Sequence, residues 1–221
     1  MIPALVHQTW KTADVPQRFR AACASWRSLH PAWEYRLWTH ADIDRFVRER
    51  FPGLVPLFAA YRYDIQRVDA FRYLLLHEVG GLYADLDIEC LRPFDDLRER
   101  EVVLPITAPS GLSNDLMMAR PGHPLFRAAI DALPHSFRRW QHAWIPRHFR
   151  VVAGTGPLHL TRVYRRCAEA ERVTLLSPRE YSSQDRQVAR VYHLPGNTWA
   201  GWDTQLLMGL YDVVRRVRPR R

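Results

Sequence analysis

The chain has 221 residues, 47% of them hydrophobic and 25% charged, a composition that indicates a folded globular protein and excludes a disordered one. It contains no run of eighteen apolar residues, so no transmembrane helix is predicted. Three widely spaced cysteines form neither a disulfide framework nor a zinc motif. The net charge of +9 comes almost entirely from arginine, which suits a phosphate-bearing ligand, an anionic membrane face or nucleic acid.

The first part of the sequence alternates strand and helix patterns. Residues 3–8 are apolar enough for a buried first strand, and residues 17–29 place their apolar side chains at helical spacing. Residues 33–38 alternate aromatic or aliphatic side chains with charged ones, which is typical of a second strand. Thr39 then stands where it can cap a following helix.

A longer helix is predicted over residues 63–79, with its apolar residues on one stripe. Gly80-Gly81 ends this helix and turns the chain into a short third strand that ends at Asp85. Two more short strands are predicted at residues 102–104 and 116–119. A strand that follows a helix in this way is typical of an α/β domain.

The remaining elements continue the alternation. A helix is predicted over residues 125–133, a loop at 154–157 before a helix that reaches about residue 170, a strand at 191–193 and an amphipathic helix at 206–217. We therefore expect an α/β fold with a mainly parallel central sheet flanked by helices. We expect one domain over residues 1–221, whose basic tail at 215–221 is frayed and solvated.

Two aspartates one residue apart, Asp85 and Asp87, end the third predicted strand. Alternation along a strand points such side chains to the same side, and at the carboxyl edge of an α/β sheet they would face a ligand. Carboxylate oxygens suit a hard divalent cation that holds a diphosphate, as in nucleotide-sugar transfer. The alternative is a plain pair of surface carboxylates, because an isolated Asp-x-Asp often arises by chance.

Asp69 and Arg72 lie three residues apart on the preceding helix and therefore share one of its faces. They could form an ordinary intrahelical ion pair. In the functional interpretation, Asp69 accepts sugar hydroxyls while Arg72 contacts the sugar or a phosphate.

His193 follows a short apolar strand and precedes a turn that contains Gly, Thr and Trp. This context makes it a candidate third metal ligand, with Thr198 and Trp199 on the phosphates. A lone histidine is more often structural, and that alternative stays open. The other histidines show no zinc spacing.

Taken together, these residues resemble glycosyltransferase family 32, which carries a DXD sugar-binding region. The resemblance starts at Ile2-Pro3 and His7-Gln8-Thr9-Trp10 and continues through residues 31–38. It is strongest over residues 69–87 and extends to Leu91-Arg92-Pro93. It implies a GT-A fold, a divalent metal (usually Mn²⁺, with Mg²⁺ as the alternative) and retention of the anomeric configuration.

The resemblance also implies roles for individual residues. Trp10 would line the nucleobase pocket, with Asp69 and Arg72 on the donor sugar. Asp85 would reach the ribose and a metal-bound water, and Asp87 would ligate the metal directly. Other implied donor-binding residues are His7, Gly81, Tyr83, Thr198 and Trp199.

Retention normally suggests two displacements with a carboxylate nucleophile, but no carboxylate in the sequence is an obvious candidate. Asn114 and Asp115, between two predicted strands, are the best candidates for groups beside the anomeric carbon, with a plain turn as the alternative. We therefore expect front-face substitution, in which the metal and Arg72 stabilise the departing diphosphate.

Two rival functions are less well supported. A haloacid-dehalogenase-type phosphatase also uses Asp-x-Asp, but on its first strand and with Thr or Val two residues after the second Asp, where this chain has Glu89. A non-catalytic basic binding module would explain the charge. The arginines are spread along the chain, however, so nucleic acid is not an expected partner.

The expected partners are a nucleotide-diphosphate sugar donor and a glycan or lipid-linked acceptor. Residues 137–145 have a basic amphipathic pattern that would suit a membrane surface, although packing over the sheet is the preferred interpretation. Residues 1–7 lack the features of a signal peptide. We expect a cytoplasmic protein, with peripheral contact at the inner membrane face as an open alternative.

Overall fold

The structure, a computed structural model, describes residues 1–107, 111–181 and 183–195. The strands are β1 (Leu5–Thr9), β2 (Glu34–Trp38), β3 (Gly81–Ala84), β4 (Ile88–Cys90), β5 (Val102–Thr107), β6 (Gly111–Leu112), β7 (Leu116–Ala119), β8 (Val173–Leu176) and β9 (Val191–His193). The helices are α1 (Gln17–Leu29), α2 (His40–Arg50), α3 (Val55–Ala60), α4 (Asp64–Glu78), α5 (Pro124–Trp140), α6 (Arg147–Gly154), α7 (Pro157–Tyr164) and α8 (Pro178–Tyr181).

A large central sheet has the strand order β2-β1-β3-β7-β5-β6, with β8 paired to β5. Strand β1 is parallel to β2 and β3, and β5 is parallel to β8. Strand β7 is antiparallel to both β3 and β5, so β3 and β5 run in the same direction. Strands β2, β1, β3, β5 and β8 therefore all point one way, which confirms the expected mainly parallel α/β architecture.

Helices cover both faces of the central sheet, and alternate residues of β3, β5 and β7 contribute to different cores. On β7, Met117 and Ala119 belong to the core shared with α2, α4 and α5. Leu116 and Met118 belong to a second core that contains Trp26 of α1. Strand β7 is buried throughout, so its side chains tie the two cores together.

A second, two-stranded antiparallel sheet pairs β4 with β9. Ile88 lies opposite His193 in this pairing. The indole of Trp26 donates to the Ile88 carbonyl at 2.8 Å, which fixes the ribbon against α1. The pairing brings the residues after Asp87 next to a segment that is distant in sequence.

Two local predictions depend on specific side chains. The Thr39 hydroxyl accepts from the Asp42 backbone N–H at 3.2 Å, and the Asp42 carboxylate accepts from the Thr39 N–H at 3.0 Å, so the predicted cap of α2 is confirmed as a capping box. Gly80 and Gly81 have φ values of 72° and 97°. A Cβ at Gly81 would lie 2.7 Å from the Leu5 carbonyl oxygen, so only glycine fits this turn between α4 and β3.

Several boundaries differ from the sequence prediction. Helix α5 continues past Pro134 to Trp140, because the turn after the proline still packs Phe137 on the core. Helix α7 ends at Tyr164, where the Cys167 N–H donates to the Tyr164 carbonyl at 3.0 Å and closes a turn. Strands β4, β6 and β8 and helices α3, α6 and α8 are not among the predicted elements.

The basic segment at 137–145 is not one continuous helix, since α5 ends at Trp140. Phe137 packs on the core and Ile145 is buried, whereas Trp144 is 80% exposed. Contact with a membrane is therefore not supported by this segment. None of the described helices has the length and apolar character needed to cross a bilayer. The predicted helix at 206–217 and the tail at 215–221 lie outside the described residues.

Candidate active site

A cleft of about 410 Å³ opens at the carboxyl ends of β1 and β3. Thr9 and Trp10 form part of one wall, and the Asp-x-Asp segment, Asp85 to Asp87, forms another. Its position agrees with the rule that ligands bind outside the carboxyl ends of parallel strands.

The Asp-x-Asp segment is a turn and not the end of a strand. Strand β3 ends at Ala84, and the Ile88 N–H donates to the Asp85 carbonyl at 3.1 Å, which closes the turn before β4. The strand alternation that the sequence suggested is therefore wrong for Asp85 and Asp87. Both residues still line the cleft, because the turn projects from the sheet edge.

Arg72 reaches the cleft from α4, although its side chain is almost fully buried. Its guanidinium donates to the Asn114 carbonyl at 2.8 Å and lies 2.8 Å from the Asp85 carboxylate and 3.2 Å from that of Asp69. Burial by itself would lower the pKa of Arg72, but the Asp85 carboxylate raises this pKa well above its ordinary value. A fixed positive charge therefore stands behind the Asp-x-Asp turn.

Asp69 lies behind Arg72 and does not line the cleft. One of its carboxylate oxygens accepts from the Asn114 side-chain amide at 3.0 Å, and the other accepts from the Thr155 hydroxyl at 3.1 Å. Burial raises the pKa of Asp69 to about 6, against the opposing effect of Arg72. Both oxygens are used by protein groups, so the geometry suits a residue that orients Arg72 and Asn114.

Asp85 is held by neighbours on two strands. Its carboxylate accepts from the Tyr83 hydroxyl at 2.7 Å, and that hydroxyl also contacts the Thr9 hydroxyl at 2.8 Å. Its backbone N–H donates to the Asp115 carbonyl at 2.8 Å. Burial raises the pKa of Asp85, while Arg72 acts in the opposite direction. The first aspartate of the motif is thus fixed before any ligand arrives.

Asp87, Asp115 and His193 meet around the same turn. The Leu194 N–H donates to the Asp87 carbonyl at 2.8 Å, which holds the end of β9 against the turn. The His193 Nδ1 atom lies 4.0 Å from the Asp115 carboxylate. Burial, together with the charges of Asp85 and Asp115, raises the pKa of Asp87 to about 7. Ionisation of the Asp87 carboxylate is therefore unfavourable unless a cation lies near it.

Tyr181 of α8 is a site residue that the sequence analysis missed. Its hydroxyl donates to the Asp115 carboxylate at 2.6 Å, and the Ser113 hydroxyl donates to the same carboxylate at 2.6 Å. The Tyr181 ring also packs edge-on against His193, with 4.8 Å between the ring centroids. No local sequence pattern marks Tyr181, because its partners lie far away along the chain.

Besides Asp69, three further predicted donor-binding residues lie behind the cleft wall rather than in it. His7, Gly81 and Tyr83 are fully buried, so direct donor contact does not fit their positions. The Trp38 indole donates to Nδ1 of His7 at 3.1 Å, so Nε2 carries the proton and donates to the Gly80 carbonyl at 2.9 Å. Burial lowers the pKa of His7 to about 4, which keeps this imidazole neutral.

Trp10 does line the cleft, where its ring meets Phe19 edge-on with 5.7 Å between the centroids. A cationic rim that the sequence analysis did not identify also borders the cleft, formed by Lys11, Arg62 and Arg147. Thr198 and Trp199 lie outside the described residues.

The residues around the turn supply donor types that a divalent cation takes, although their ligand atoms are not drawn into one close group in this structure. The Nε2 atom of His193 is buried and has no hydrogen-bond partner in the described part of the chain. The charges of Asp85 and Asp115 both make ionisation of Asp87 harder, so a cation between these groups would relieve the repulsion. Carboxylate oxygens with one imidazole form a donor set that Mn²⁺ or Mg²⁺ accepts.

Within the described residues, the close group of ligand atoms from acidic residues and a histidine is formed by Glu101, His123 and Glu169, and this group does not need a metal. Arg120 donates to the Glu101 carboxylate at 3.1 Å, and the Leu125 N–H occupies Nδ1 of His123 at 3.2 Å. With Nδ1 accepting, the proton of the neutral ring is on Nε2, the atom that would have to bind the cation.

Comparison with known proteins agrees with this geometry. Residues 16–104 match the family model described as "Glycosyltransferase sugar-binding region containing DXD motif". Mannosyl phosphorylinositol ceramide synthase CSH1 of Saccharomyces cerevisiae is 33% identical over 97% of this chain and 57% of its own length. Inositol phosphoceramide mannosyltransferase 1 of Schizosaccharomyces pombe is 34% identical over 94% of this chain and 65% of its own length. The chain thus spans about three-fifths of the length of these curated relatives.

Solved structures support the fold. The PaToxG glycosyltransferase has a TM-score of 0.56 and 15% identity, with 75% of this chain and 69% of that chain covered. A glycosyltransferase involved in glycosylation of the major capsid of PBCV-1 has a TM-score of 0.51 and 10% identity, over 87% of this chain and 94% of that chain. The chain is therefore a relative of the glycosyltransferases of family 32, whose DXD sugar-binding region it carries, and its fold is of the GT-A type.

Proposed function

We propose that this protein is a metal-dependent, retaining glycosyltransferase that moves a hexose from a nucleotide-diphosphate sugar to a glycan or lipid-linked acceptor. The observation that carries the proposal is the charge arrangement in the cleft. A buried guanidinium, Arg72, stands behind Asp85, while Asp87 and His193 lie nearby with ligand atoms suited to a cation. The names of the relatives support a mannosyl group as the hexose.

Asp87 and His193 would hold the metal, with Asp85 beside them. When bound, a divalent cation neutralises a diphosphate and acts as a Lewis acid toward the leaving group. Arg72 adds a second, permanent positive charge on the same side of the cleft. Since its partners fix this guanidinium in the folded protein, no reorganisation is needed when negative charge develops on the diphosphate.

We infer front-face substitution as the course of the reaction. Asp69 and Asp115 are the carboxylates beside the turn that could be considered as nucleophiles. Both oxygens of Asp69 accept hydrogen bonds from protein side chains, and Tyr181 and Ser113 hold Asp115. With neither of them free, capture of the sugar on the face of the departing diphosphate best accounts for retention. Asn114 donates to Asp69 and does not line the cleft, so its proposed role is to position Asp69 and Arg72.

The rival functions are not favoured. In haloacid-dehalogenase-type phosphatases the motif belongs to the first strand, whereas here it follows β3. The cationic rim lies beside carboxylates and Trp10 in one cleft, which suits a nucleotide better than a simple basic binding surface. For location we retain the cytoplasmic proposal, which the three unpaired cysteines support.

A thermal-shift panel tests the function. UDP, GDP and their hexoses are added with Mn²⁺ or with EDTA to wild type, to Asp87→Asn and to Asp131→Asn, which makes the same charge change on an exposed helix position. We expect one nucleotide class to raise the melting temperature only with metal, and this shift to be lost in Asp87→Asn alone. No shift with any nucleotide in folded wild type, or an unchanged shift in Asp87→Asn, would refute the proposal.

The stereochemical part has its own test. The first product formed from an α-linked donor is followed by proton NMR before it can mutarotate or react further. An α-linked product is expected, and a β-linked product would exclude retention while leaving the transferase proposal intact.

A further inference from the structure

A second cavity, of about 440 Å³, lies between α5 and α7 and shares no lining residue with the cleft. Ala128, Ala132 and Ser136 follow one another at four-residue spacing, so their small side chains share one face of α5 and leave room there. His159 and Val163 contribute from α7 and are buried at its floor. We refer to this cavity as the arginine groove.

Three arginines line the arginine groove: Arg139 from α5, and Arg162 and Arg166 from α7 and the turn after it. No aspartate or glutamate is among its described lining residues. Two carboxylates close by along the chain are paired with other arginines: Asp131 with Arg127 at 3.0 Å and Glu169 with Arg172 at 3.4 Å. The groove therefore concentrates positive charge without an anionic partner in the described part of the chain.

Helix dipoles explain only part of this arrangement. Arg139 and Arg162 lie in the last turns of their helices, where the helix dipole favours a cation. That effect does not require their side chains to converge. Here both guanidinium groups lie 5.6 Å from the Trp140 ring centroid, and Arg162 also donates to the Ala153 carbonyl. The Trp140 ring thus holds two like charges at one edge of the groove.

The electrostatic cost of this convergence is visible at Arg162. Burial lowers the pKa of its guanidinium, and the charges of Arg139 and Arg166 lower it further. A bound anion would raise the pKa of Arg162 and so oppose the effect of the two neighbouring arginines.

The floor of the groove contributes no negative charge. His159 Nε2 lies 3.0 Å from the Ala129 carbonyl and therefore carries the proton, so Nδ1 accepts from the Ser136 hydroxyl at 2.9 Å. Neither the neutral imidazole nor the hydroxyl supplies an anionic partner for the three arginines, so that partner would be an external anion.

We propose that the arginine groove is a binding site for a phosphate group, carried either by a small soluble molecule or by a lipid headgroup. Guanidinium groups match the oxygen geometry of phosphate. The volume admits a phosphate together with part of the molecule that carries it, next to the apolar side chains of Ala132 and Val163. This site is separate from the donor cleft and does not depend on the glycosyltransferase proposal.

Isothermal titration with inorganic phosphate, in EDTA so that metal-dependent binding in the cleft is suppressed, tests the site. The groove variant is Arg139→Gln/Arg166→Gln, whose two side chains are exposed and can be replaced without opening the core. The matched control is Arg138→Gln/Arg165→Gln, which removes the same charge from neighbouring exposed positions outside the groove lining.

We expect one phosphate per chain in wild type and control, and an affinity at least about tenfold lower in the groove variant. Equal weakening of phosphate binding in both double variants, or no phosphate binding in wild type, would overturn the proposal.

Flotation with phosphatidylcholine vesicles, with and without phosphatidic acid, identifies the molecule that carries the phosphate. Flotation that needs phosphatidic acid and is lost only in the groove variant indicates a headgroup, whereas phosphate binding without flotation indicates a soluble ligand.

Discussion

In the donor cleft, Arg72 and the carboxylates around it are fixed by buried hydrogen bonds from several strands and helices. In the arginine groove, Arg139 and Arg166 lie on the exposed surface of a helix and a turn, and their charges have no ion-pair partner in the described residues. The first region is preorganised as part of folding, so its residues contribute to stability as well as to binding. The second can lose charge at little structural cost. Substitutions in the cleft should therefore lower both stability and binding, whereas substitutions of the exposed arginines of the groove should leave stability almost unchanged.

The largest effect is expected at Asp69. Asp69→Ala removes an acceptor used by Asn114, Thr155 and Arg72 in a buried setting, so the free energy of unfolding should fall by about 3–5 kcal/mol. Urea unfolding measures this loss. The control Asp131→Ala breaks an exposed helix pair and should cost less than about 1 kcal/mol. Equal losses in the two variants would show that the cleft network is not preorganised.

Arg72→Lys should lower turnover by about 100-fold, since an ammonium cannot reproduce the contacts that the guanidinium makes with Asn114, Asp69 and Asp85. Steady-state kinetics with the donor identified by the thermal-shift panel measures this effect. The matched control is Arg67→Lys on the same helix, whose partner Asp44 is near the surface. Unchanged turnover in Arg72→Lys would reduce Asp69 and Arg72 to a structural pair.

The floor of the arginine groove should respond to pH. Burial lowers the pKa of His159 to about 4, so its contribution to stability is fully present above the unfolded-state pKa of about 6.5 and is lost as the pH falls toward 4. In His159→Gln this loss is absent, so the stability gap between wild type and variant should narrow by about 2–3 kcal/mol between about pH 7 and pH 4.5. Urea unfolding across this range measures the gap, and exposed His142→Gln, outside the groove lining, is the control. A constant gap for His159→Gln would contradict the prediction.

The smallest effect is expected for Arg166→Gln. The side chain is exposed and its charge repels Arg162, so the unfolding free energy should change by no more than about 0.5 kcal/mol, in the stabilising direction if at all. Thermal melts against Arg165→Gln check this. A clear destabilisation by Arg166→Gln alone would mean that the groove, like the cleft, is organised by its charges.

Local sequence patterns predicted much of the fold. Helix α1 and strand β7 have the predicted bounds, and the Thr39 cap forms as expected, because each depends on periodicity or on contacts between near neighbours. Prediction was weakest for very short strands, because two or three residues carry almost no periodicity. Strands β4 and β6 were missed, whereas β9 was predicted with the bounds that the structure has.

In the candidate site, too, some features could be predicted from the sequence and others could not. The types and spacing of Asp69, Arg72, Asp85 and Asp87 are properties of the sequence, and they are enough to indicate cation and diphosphate chemistry. The sequence misassigned the environment of His7 and Tyr83, because a polar side chain next to a motif looks the same whether it faces a ligand or the core.

By itself, the sequence determined the α/β alternation, the Asp-x-Asp motif and the glycine pair before it, since each of these depends on contacts between residues close along the chain. Only the tertiary structure decided that β9 pairs with β4, that His193 and Tyr181 meet Asp115, and that α5, α7 and the turn after α7 bring three arginines around one groove. These contacts join segments far apart in sequence. They form because packing on both faces of the sheet fixes where each segment ends, and no local pattern records that outcome.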